Sequence, residues 1–245
     1  MYRRVPELVE GQRTRHISGY RDVAMAGYRR SRITTRGPRT DRQFKIKGTR
    51  ADEAEDAPMC QATLRTGRLR LVPLSEEHLE YEVELDADPA VMRYLGDGRA
   101  RSREDVERRH QHRLAAAKRV VGLGFWVGFV DGQFVGWWIL EPPERANQGP
   151  IDGQAELGYR LLRRSWRKGL ASEGARELVR HGFEDLGLTR IFAETMTVNA
   201  ASRATMTAVG LLHVRTFHTH WDEPISGSEL GEVEYAISRE QWLAR

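Results

Sequence analysis

The sequence predicts an α/β (α+β) fold, a mixed central sheet of about seven strands with helices on both faces. Three observations lead to this prediction. Apolar and polar residues alternate over several short segments, whereas longer segments repeat at the spacing of an amphipathic helix. The Asp131-Gly132 turn between two apolar runs predicts an antiparallel hairpin. Further along, a strand, a helix and a strand follow one another, which predicts a parallel pair.

The composition of the 245-residue chain narrows the classes of protein that fit it. A hydrophobic content of 40% is enough for a real core. The mean hydropathy is -0.60, and no apolar run approaches the roughly 18 residues of a spanning helix, so we predict no membrane partner. A single cysteine, Cys60, excludes an intramolecular disulfide framework and a cysteine-based zinc site, and it is consistent with the cytoplasm.

Residues 1–62 differ in composition from the remainder of the chain. They hold all of the excess positive charge, with arginine pairs, scattered glycines and no sustained apolar period, whereas the remainder is net negative. We predict a disordered basic N-terminal extension over 1–62 and one folded domain over 63–245. The extension lacks the apolar segment of a secretory signal. Four interpretations of the extension stay open. It has no specific function, it is a transit peptide, it attracts nucleic acid, or it lies upstream of the true start codon.

The first half of the domain contains three predicted strands and two helices. A strand over residues 63–72 alternates apolar and polar positions. Ser75 is the predicted N-cap of a helix that extends to about residue 87, and Ser102 caps a helix that extends to about residue 120. The hairpin supplies the next two strands, over 123–130 and 133–140.

The second half begins with a loop over 141–153 and a strand over 154–162. Residues 168–186 repeat apolar positions at helical spacing, and Gly187 is placed to end that helix. The remaining predicted elements are a strand over 189–197, a helix over 200–209 stopped by Gly210, and strands over 211–219 and 232–238. The loops over 141–153 and 222–231 are expected to line the entrance for a substrate.

The most informative segment runs from Glu156 to Gly174, where a predicted strand passes through a basic turn into a helix. The first N–H groups of a helix lack partners, and its dipole places positive charge there, so phosphate suits such a terminus. Gly169 and Ala171 keep side chains away from this backbone. The turn is also basic, with Arg163, Arg164, Arg167 and Lys168. Charge alone is more often found on a solvated surface. The strand, the small residues, the helix start and the charge together favour phosphate binding.

These residues resemble motif A of the GNAT superfamily of acyl-CoA N-acyltransferases. They look most like its RimJ/RimL-like branch, which acetylates N-terminal amines of ribosomal proteins. Residues 156–159 and 166–173 match the Glu-(Ile/Leu)-Gly-Tyr and Tyr/Trp-x-Lys-Gly-x-Ala-x-Glu of that branch. Residues 199–211 match its Asn-x-x-Ser-x-x-x-Met-x-x-x-Gly-Phe, with Leu211 in place of phenylalanine. The resemblance, including the order of elements, covers residues 63–242.

The resemblance implies the acyl-CoA N-acyltransferase fold and acetyl-CoA as co-substrate. The implied enzyme transfers the acetyl group to a primary amine, on a protein N-terminus or a small molecule, by direct attack. Pantetheine is expected between the strand ending near Leu162 and the strand over 189–197, with the pyrophosphate at the helix start. The implied cofactor-binding residues are Leu162, Arg164, Arg167, Lys168, Gly169, Leu170, Ala171, Ser172, Asn199 and Ser202. A catalytically silent acyl-CoA-binding regulatory module is the alternative.

Two residues are the implied catalytic groups. Attack by a neutral amine needs a proton acceptor, and Glu156 is the candidate base. A salt bridge, or a contact to the substrate ammonium, is the alternative for it. Asn199 would bind an ordered water or the pantetheine, or it would cap the helix that follows. Ser202 is either a weaker cofactor contact or a surface serine.

The sequence does not identify the acid that protonates the leaving thiolate. Many superfamily members use a tyrosine here, but residues 200–219 contain none, and Tyr235 follows later. His213, His218 and His220 lie in this region, and the last two are expected to share a strand face. No acidic third ligand has suitable spacing, so we predict no metal site. Protonation by solvent is the open alternative.

Two departures from the family pattern affect the phosphate turn. Trp166 stands where many members have glutamine or arginine, and Arg167 stands where many have glycine. Backbone wrapping is therefore expected to be less ideal at Arg167, with a side-chain contact in compensation.

The hairpin carries Phe125, Trp126, Trp137 and Trp138, and alternation sends them to both faces. Packing in the core and at the edge of a homodimer is favoured over a substrate cage. The remaining expectations are an amine acceptor, a cytoplasmic location and no nucleic-acid partner.

Overall fold

The computed structural model describes residues 61–118, 120–221 and 223–245. Residues 1–60 of the predicted extension therefore lie outside the described residues. The strands are β1 (Leu64–Arg65), β2 (Arg70–Pro73), β3 (Gly124–Val130), β4 (Gln133–Glu141), β5 (Gln154–Leu161), β6 (Arg190–Met196), β7 (Leu212–Phe217) and β8 (Glu232–Ser238). They form one sheet in the order β1-β2-β3-β4-β5-β6-β8-β7.

The helices are α1 (Leu79–Asp86), α2 (Pro89–Met92), α3 (Arg103–Ala116), α4 (Leu170–Arg180), α5 (Ala200–Val209) and α6 (Arg239–Leu243). A π-helical turn, His181–Asp185, continues α4. Ser102 caps α3 as predicted, since its Oγ accepts the N–H of Asp105 at 3.2 Å, although α3 ends before residue 120. The short helices α2 and α6 were not predicted. Each begins at a polar cap, Asp88 and Ser238 respectively.

The sheet is mixed, as the sequence predicts. β5 and β6 are parallel. The other neighbouring pairs of the described sheet are antiparallel, namely β1–β2, β2–β3, β3–β4, β4–β5, β6–β8 and β7–β8. The Asp131-Gly132 turn joins β3 to β4, and α4 with its π-helical turn connects the parallel pair. The hairpin and the strand–helix–strand unit are both confirmed.

The prediction of a single strand over residues 63–72 is wrong. The chain reverses after Arg65, and β1 and β2 form a small antiparallel hairpin, so the sheet has eight strands. The Oγ1 of Thr66 accepts the N–H groups of Arg68 at 3.3 Å and Leu69 at 2.9 Å. Such threonine turns compete with an extended strand, and the Thr66-Gly67 pair is the signal that strand alternation masked.

Helices cover both faces of the sheet. On one face, α4 packs against Trp126 and Trp138. On the other, α1 and α3 pack around a second cluster that includes Phe125 and Trp137. All four hairpin aromatic residues are buried, so the structure places them in the core.

A glycine on α4 permits close packing at this interface. A Cβ added to Gly174 would lie 2.5 Å from Cε2 of Trp138, a fully buried residue. The indole Nε1 of Trp138 donates to the carbonyl oxygen of Ala171 at 3.1 Å. The sheet thus positions the first turn of α4 through one tryptophan.

The prediction that His218 and His220 share a strand face is wrong, because β7 already ends at Phe217. Both histidines are exposed in the segment that follows. No cluster of three histidine, cysteine or acidic side chains that could hold a metal occurs among the described residues. In that same part of the chain, no helix has the length and apolar character needed to cross a membrane.

Candidate active site

A gap opens between β5 and β6 in the middle of the sheet. Their parallel pairing is limited to the segment from Gln154, opposite Arg190, to Glu156, opposite Phe192. Beyond that point β5 continues its pairing with β4, and β6 continues its pairing with β8. The facing edges of the two strands therefore diverge. The pantetheine is expected in this gap.

The turn after β5 leads directly to the start of α4. Leu162 is buried, and its N–H donates to the carbonyl oxygen of Val135 at 3.0 Å. A 3-10 turn, Arg163–Ser165, follows. Gly169 is the N-cap of α4, so the helix begins at Leu170, two residues after the predicted start.

Unpaired backbone donors gather at this helix start. The N–H of Glu173 makes the first helical bond, to the carbonyl oxygen of Gly169 at 3.0 Å. The N–H groups of residues 167–172 donate to no acceptor within the described residues. Unpaired N–H groups at the positive end of a helix dipole suit an anion. The structure thus assembles the donors that the predicted phosphate site requires.

Two residues of the turn adopt left-handed backbone conformations. Gly169 has a φ of 76°, and Arg167 has a φ of 58°. Glycine adopts this region at little cost, whereas a residue with a Cβ is strained there by about 1–2 kcal/mol. The position where the family pattern has glycine is therefore one where arginine carries backbone strain.

The hairpin of β1 and β2 is bound to α4 through one carboxylate. Glu173 accepts hydrogen bonds from the hydroxyl of Thr66 at 2.5 Å and from the backbone N–H of Arg68 at 2.9 Å. The guanidinium of Arg68 also donates to Glu173 at 2.7 Å and to the carbonyl oxygen of Lys168 at 2.9 Å. Burial alone would raise the pKa of Glu173, but these hydrogen bonds lower it overall. The contacts hold the phosphate turn against the sheet.

The basic side chains of the turn are exposed. Arg163, Arg164, Arg167 and Lys168 all lie on the surface. Arg164 pairs with Glu84 of α1 at 2.5 Å, so that guanidinium is already engaged. Leu170 is buried, whereas Ala171 and Ser172 are half-buried beside the unpaired N–H groups.

Glu156 lies on β5 at the point where the gap begins. Its Oε2 accepts a hydrogen bond from Nε2 of Gln148 at 2.8 Å, and the same nitrogen donates to Glu194 at 3.0 Å. Burial raises the pKa of the Glu156 carboxyl, while Arg145 and Gln148 act in the opposite direction without cancelling the effect. A carboxyl with a raised pKa is a better proton acceptor than an ordinary glutamate.

The second family motif builds the opposite wall of the gap. Asn199 caps α5, since its Oδ1 accepts the N–H of Ser202 at 3.2 Å, and its Nδ2 donates to Oγ1 of Thr195 at 3.0 Å. The capping alternative for Asn199 is therefore present. Its contact with water or pantetheine stays a prediction. Most N–H groups at the start of α5 are paired, since that of Ala200 donates to the carbonyl oxygen of Val198 at 2.9 Å and that of Ser202 donates to Asn199.

Tyr159 joins β5 to α5. Its hydroxyl donates to the carbonyl oxygen of Ser202 at 3.0 Å and lies 3.2 Å from the Ser202 Oγ. Ser202 is half-buried, and its contact with the cofactor stays a prediction. Burial raises the pKa of Tyr159 to about 12. An unperturbed thiol has a pKa of about 8.5, so this phenol is a weak proton donor to a thiolate.

Sequence reasoning missed several residues around Glu156. Gln148, Arg145 and Glu194 come from a loop and from β6, and they meet Glu156 only in the fold. For Glu194 a usable signal existed, because a carboxylate within an otherwise apolar strand demands a partner. The predicted residues thus fall into two groups, residues 162–172 at the turn and Glu156, Asn199 and Ser202 along the gap.

Known proteins resemble most of the domain in sequence. Residues 68–212 match the family model described as an acetyltransferase (GNAT) domain. An FsC-acetyl coenzyme A-N(2)-transacetylase from Aspergillus fumigatus is 47% identical over 185 residues, which are 75% of this chain and 79% of that protein.

Solved structures share the fold at lower identity. The RimL ribosomal-protein α-N-acetyltransferase in complex with coenzyme A is 18% identical, with a TM-score of 0.60 over 72% of this chain and 97% of that one. An acetyltransferase from Agrobacterium tumefaciens is 23% identical, with a TM-score of 0.57 over 75% of this chain and 98% of that one. At such identities the likeness concerns the fold alone.

Proposed function

Because the chain belongs to the GNAT acetyltransferase family and is an N-acyltransferase, we propose that it transfers the acetyl group of acetyl-CoA to a primary amine of a small molecule. The observation that carries the proposal is the pairing of a strand gap with a donor-rich helix start, with Glu156 at the beginning of the gap. A thioester cofactor with a pyrophosphate fits both parts.

Acetyl-CoA would supply an acetyl group activated as a thioester. The N–H groups of residues 167–172 would bind its pyrophosphate, and the facing edges of β5 and β6 would hold its pantetheine. Arg167 and Lys168 would add charge at the phosphates. The clamp between Arg68 and Glu173 would keep the turn in place before the ligand binds.

Glu156 would accept the proton of the amine. Gln148 binds the Oε2 of this carboxyl, and no donor among the described residues binds Oε1, which would take the proton directly or through water. As the amine nitrogen bonds to the acyl carbon, the carbon–sulfur bond breaks and the sulfur takes a proton from solvent. Solvent is the proposed donor because Tyr159, with its pKa raised to about 12, is a much weaker acid than a thiol and gives up its proton to a thiolate only with difficulty.

The relative from Aspergillus fumigatus favours a small-molecule acceptor over a protein N-terminus. Its name, FsC-acetyl coenzyme A-N(2)-transacetylase, specifies a numbered nitrogen, N(2), as atoms of a small molecule are numbered. At 47% identity over most of both chains, an acceptor of related chemistry is the working proposal. The RimJ/RimL-like branch, a homodimer and a cytoplasmic location stay predictions.

The test measures free thiol release from acetyl-CoA against small amines and N-terminal peptides. We expect turnover with small amines and little with peptides. Preferential turnover of the peptides would overturn the small-molecule proposal. Acetyl-CoA binding by calorimetry, without thiol release for any amine, would favour the silent-module alternative instead.

A further inference from the structure

A guanidinium from a surface loop occupies a buried acidic site beside the candidate base. The loop comprises residues 142–153, between β4 and β5. Arg145 of this loop hydrogen-bonds Oε2 of Glu194, and its Nη1 lies 3.7 Å from Glu232. The side chain of Glu194 is 3% exposed, whereas that of Arg145 is 42% exposed. The carboxylates are thus fixed within the fold, and the cation reaches them from outside.

The acidic site is continuous with the candidate base. One nitrogen, Nε2 of Gln148, donates both to Glu156 at 2.8 Å and to Glu194 at 3.0 Å. A group bound at Glu194 would therefore lie next to a group bound at Glu156. The loop that supplies Gln148 also supplies Arg145, so one displacement of this loop would uncover both carboxylates.

Glu194 is incompletely paired even with Arg145 in place. Its Oε1 is buried and accepts no hydrogen bond among the described residues. The nearest further cation, Arg215, has its Nη2 3.9 Å away, and its Nε is bound to Glu234 at 2.6 Å. An unpaired buried carboxylate oxygen is costly, so a further donor at this atom would be stabilising.

Space for a small molecule adjoins the loop. A cavity of about 360 Å³ is bordered by Gln148, Arg215 and Glu234. This volume lies near the lower end of the usual range for small-molecule sites. Glu156, Glu194 and Glu232 do not border this cavity, which meets the acidic site through Gln148 and Arg215, the two side chains that lie beside Glu194.

Charge identifies the kind of acceptor that would fit. Glu194 and Glu232 face the guanidinium of Arg145, whose charge also acts on Glu156. The further cation, Arg215, lies 3.9 Å from Glu194 and is bound to Glu234, so carboxylates outnumber cations around Arg145. If Arg145 left without a replacement, buried charges would lose their partner, which is strongly unfavourable. The reacting nitrogen cannot be that replacement, because it must be neutral when it attacks. The compensating charge must come from a second cationic group on the same molecule.

We propose that Glu194 and Glu232 bind a cationic group of the acceptor, and that Arg145 occupies this position until the acceptor displaces it. The proposal rests on the proposed acetyl transfer and defines its substrate as an amine with at least one further cationic group. Glu194 is a specificity-determining residue, and Arg145 competes with the acceptor. The two side chains therefore have opposite effects on the KM of the acceptor.

Steady-state thiol release with two acceptors of equal length tests the proposal. 1,4-Diaminobutane carries a second cation, and 4-amino-1-butanol carries a hydroxyl in its place. We expect the kcat/KM of the full-length protein to be at least about tenfold higher for the diamine, which corresponds to about 1.4 kcal/mol. Equal values for the two acceptors would overturn the assignment of substrate class.

The variants separate the two roles. Glu194→Gln should raise the KM for the diamine about tenfold more than it raises the KM for the amino alcohol. Arg145→Ala should lower the KM for the diamine by about threefold or more. Arg103→Ala is the matched control, because Arg103 is exposed and pairs with Glu80 away from the site. A higher KM for the diamine in Arg145→Ala, or an equal loss for both acceptors in Glu194→Gln, contradicts the proposal.

Two further measurements keep the result interpretable. Calorimetric titration of each acceptor into the coenzyme A-loaded protein reports the charge preference even if no thiol is released. A preference without turnover would retain this inference and reject the proposed function, and turnover without a preference would do the reverse. If Glu194→Gln melts at a lower temperature, the double variant Arg145→Ala, Glu194→Gln removes the stranded cation. It should show the same loss of charge preference.

Discussion

At the scale of single residues, burial and charge determine the chemistry available to Glu156. Burial raises the pKa of its carboxyl, and the positive charge of Arg145 moderates the rise. A carboxylate in water would be too weak a base for an ammonium group, so a raised pKa improves the match. The same burial requires a hydrogen-bond partner for the charged form, and Gln148 supplies it.

The raised pKa of Glu156 predicts the pH dependence of acetyl transfer. A base must be ionised to act, so kcat/KM should fall as the pH drops through the pKa of Glu156. That fall should lie above the ordinary range of glutamate, since the shift is upward. In Glu156→Gln, turnover should decrease by about 10²–10⁴-fold and this limb should disappear. Thiol release measured across pH checks both outcomes, with Glu80→Gln as an exposed control, and an unchanged profile in Glu156→Gln would exclude the base assignment.

The left-handed backbone of Arg167 predicts that glycine at this position would make the protein more stable, although it would remove a positive charge from the phosphate turn. Its φ of 58° favours glycine, so Arg167→Gly should raise the free energy of unfolding by up to about 1 kcal/mol. Arg163→Gly is the control, because Arg163 lies in the adjacent 3-10 turn without a positive φ and should lose stability instead. Urea unfolding measures both changes. A loss of stability in Arg167→Gly would mean that the side chain makes a contact worth more than the strain.

At the scale of elements, the position of α4 relative to the sheet depends on the contact between Gly174 and Trp138. A Cβ at Gly174 would lie 2.5–2.9 Å from three atoms of that buried indole ring. Neither side can move freely, since Trp138 is fully buried and its Nε1 binds the first turn of α4. The position of the backbone N–H groups that would bind phosphate therefore depends on a contact in the core.

Gly174→Ala should accordingly lower both stability and cofactor affinity. We expect the free energy of unfolding to fall by about 1–3 kcal/mol through overpacking, partly offset by the better helix propensity of alanine. The KM for acetyl-CoA should rise, because the start of α4 shifts with the helix. Gly67→Ala is a suitable control, since nothing lies within 4 Å of its added Cβ. If the two variants had equal melting temperatures and KM values, the contact would not position α4.

Some helices and strands could be predicted from the sequence, and others could not. Helix ends were predictable where a local signal acts alone, as with the cap at Ser102 and the left-handed Gly210 after α5. The hairpin at β1 was not predictable from alternation, because Thr66 folds the chain through side-chain bonds to backbone groups two and three residues away. Local patterns report periodicity, and such competing bonds interrupt it.

Some residues of the candidate site were likewise predictable from the sequence, and others were not. The phosphate turn could be predicted because its donors, its small residues and its charges are contiguous in sequence. The partners of Glu156 could not, since Gln148 and Glu194 are far apart in the chain and only the sheet brings them together. Their recognition needs the strand order, which places β4, its loop, β5 and β6 side by side.

At the scale of the whole molecule, the question is how much of the chain the acetyltransferase needs. The family match begins at residue 68, and the described site residues lie beyond residue 61. The boundary between residues 62 and 63 stays a prediction, and two residues just before it bind the sheet. Gln61 donates to the carbonyl oxygen of Phe125 at 3.0 Å, and the indole N–H of Trp126 donates to Ala62 at 2.8 Å.

We therefore predict different outcomes for two shortened chains. A chain that begins at residue 59 retains Gln61 and Ala62, and its kcat/KM should stay within about twofold of the full-length value. A chain that begins at residue 64 loses both, which leaves the N–H of the fully buried Trp126 without its acceptor. Such an unsatisfied donor costs about 1–3 kcal/mol, so this chain should unfold at lower urea concentration. Equal unfolding midpoints would show that the contacts of Gln61 and Ala62 do not stabilise the domain, and lost turnover in the longer chain would assign a role in catalysis to the first 58 residues.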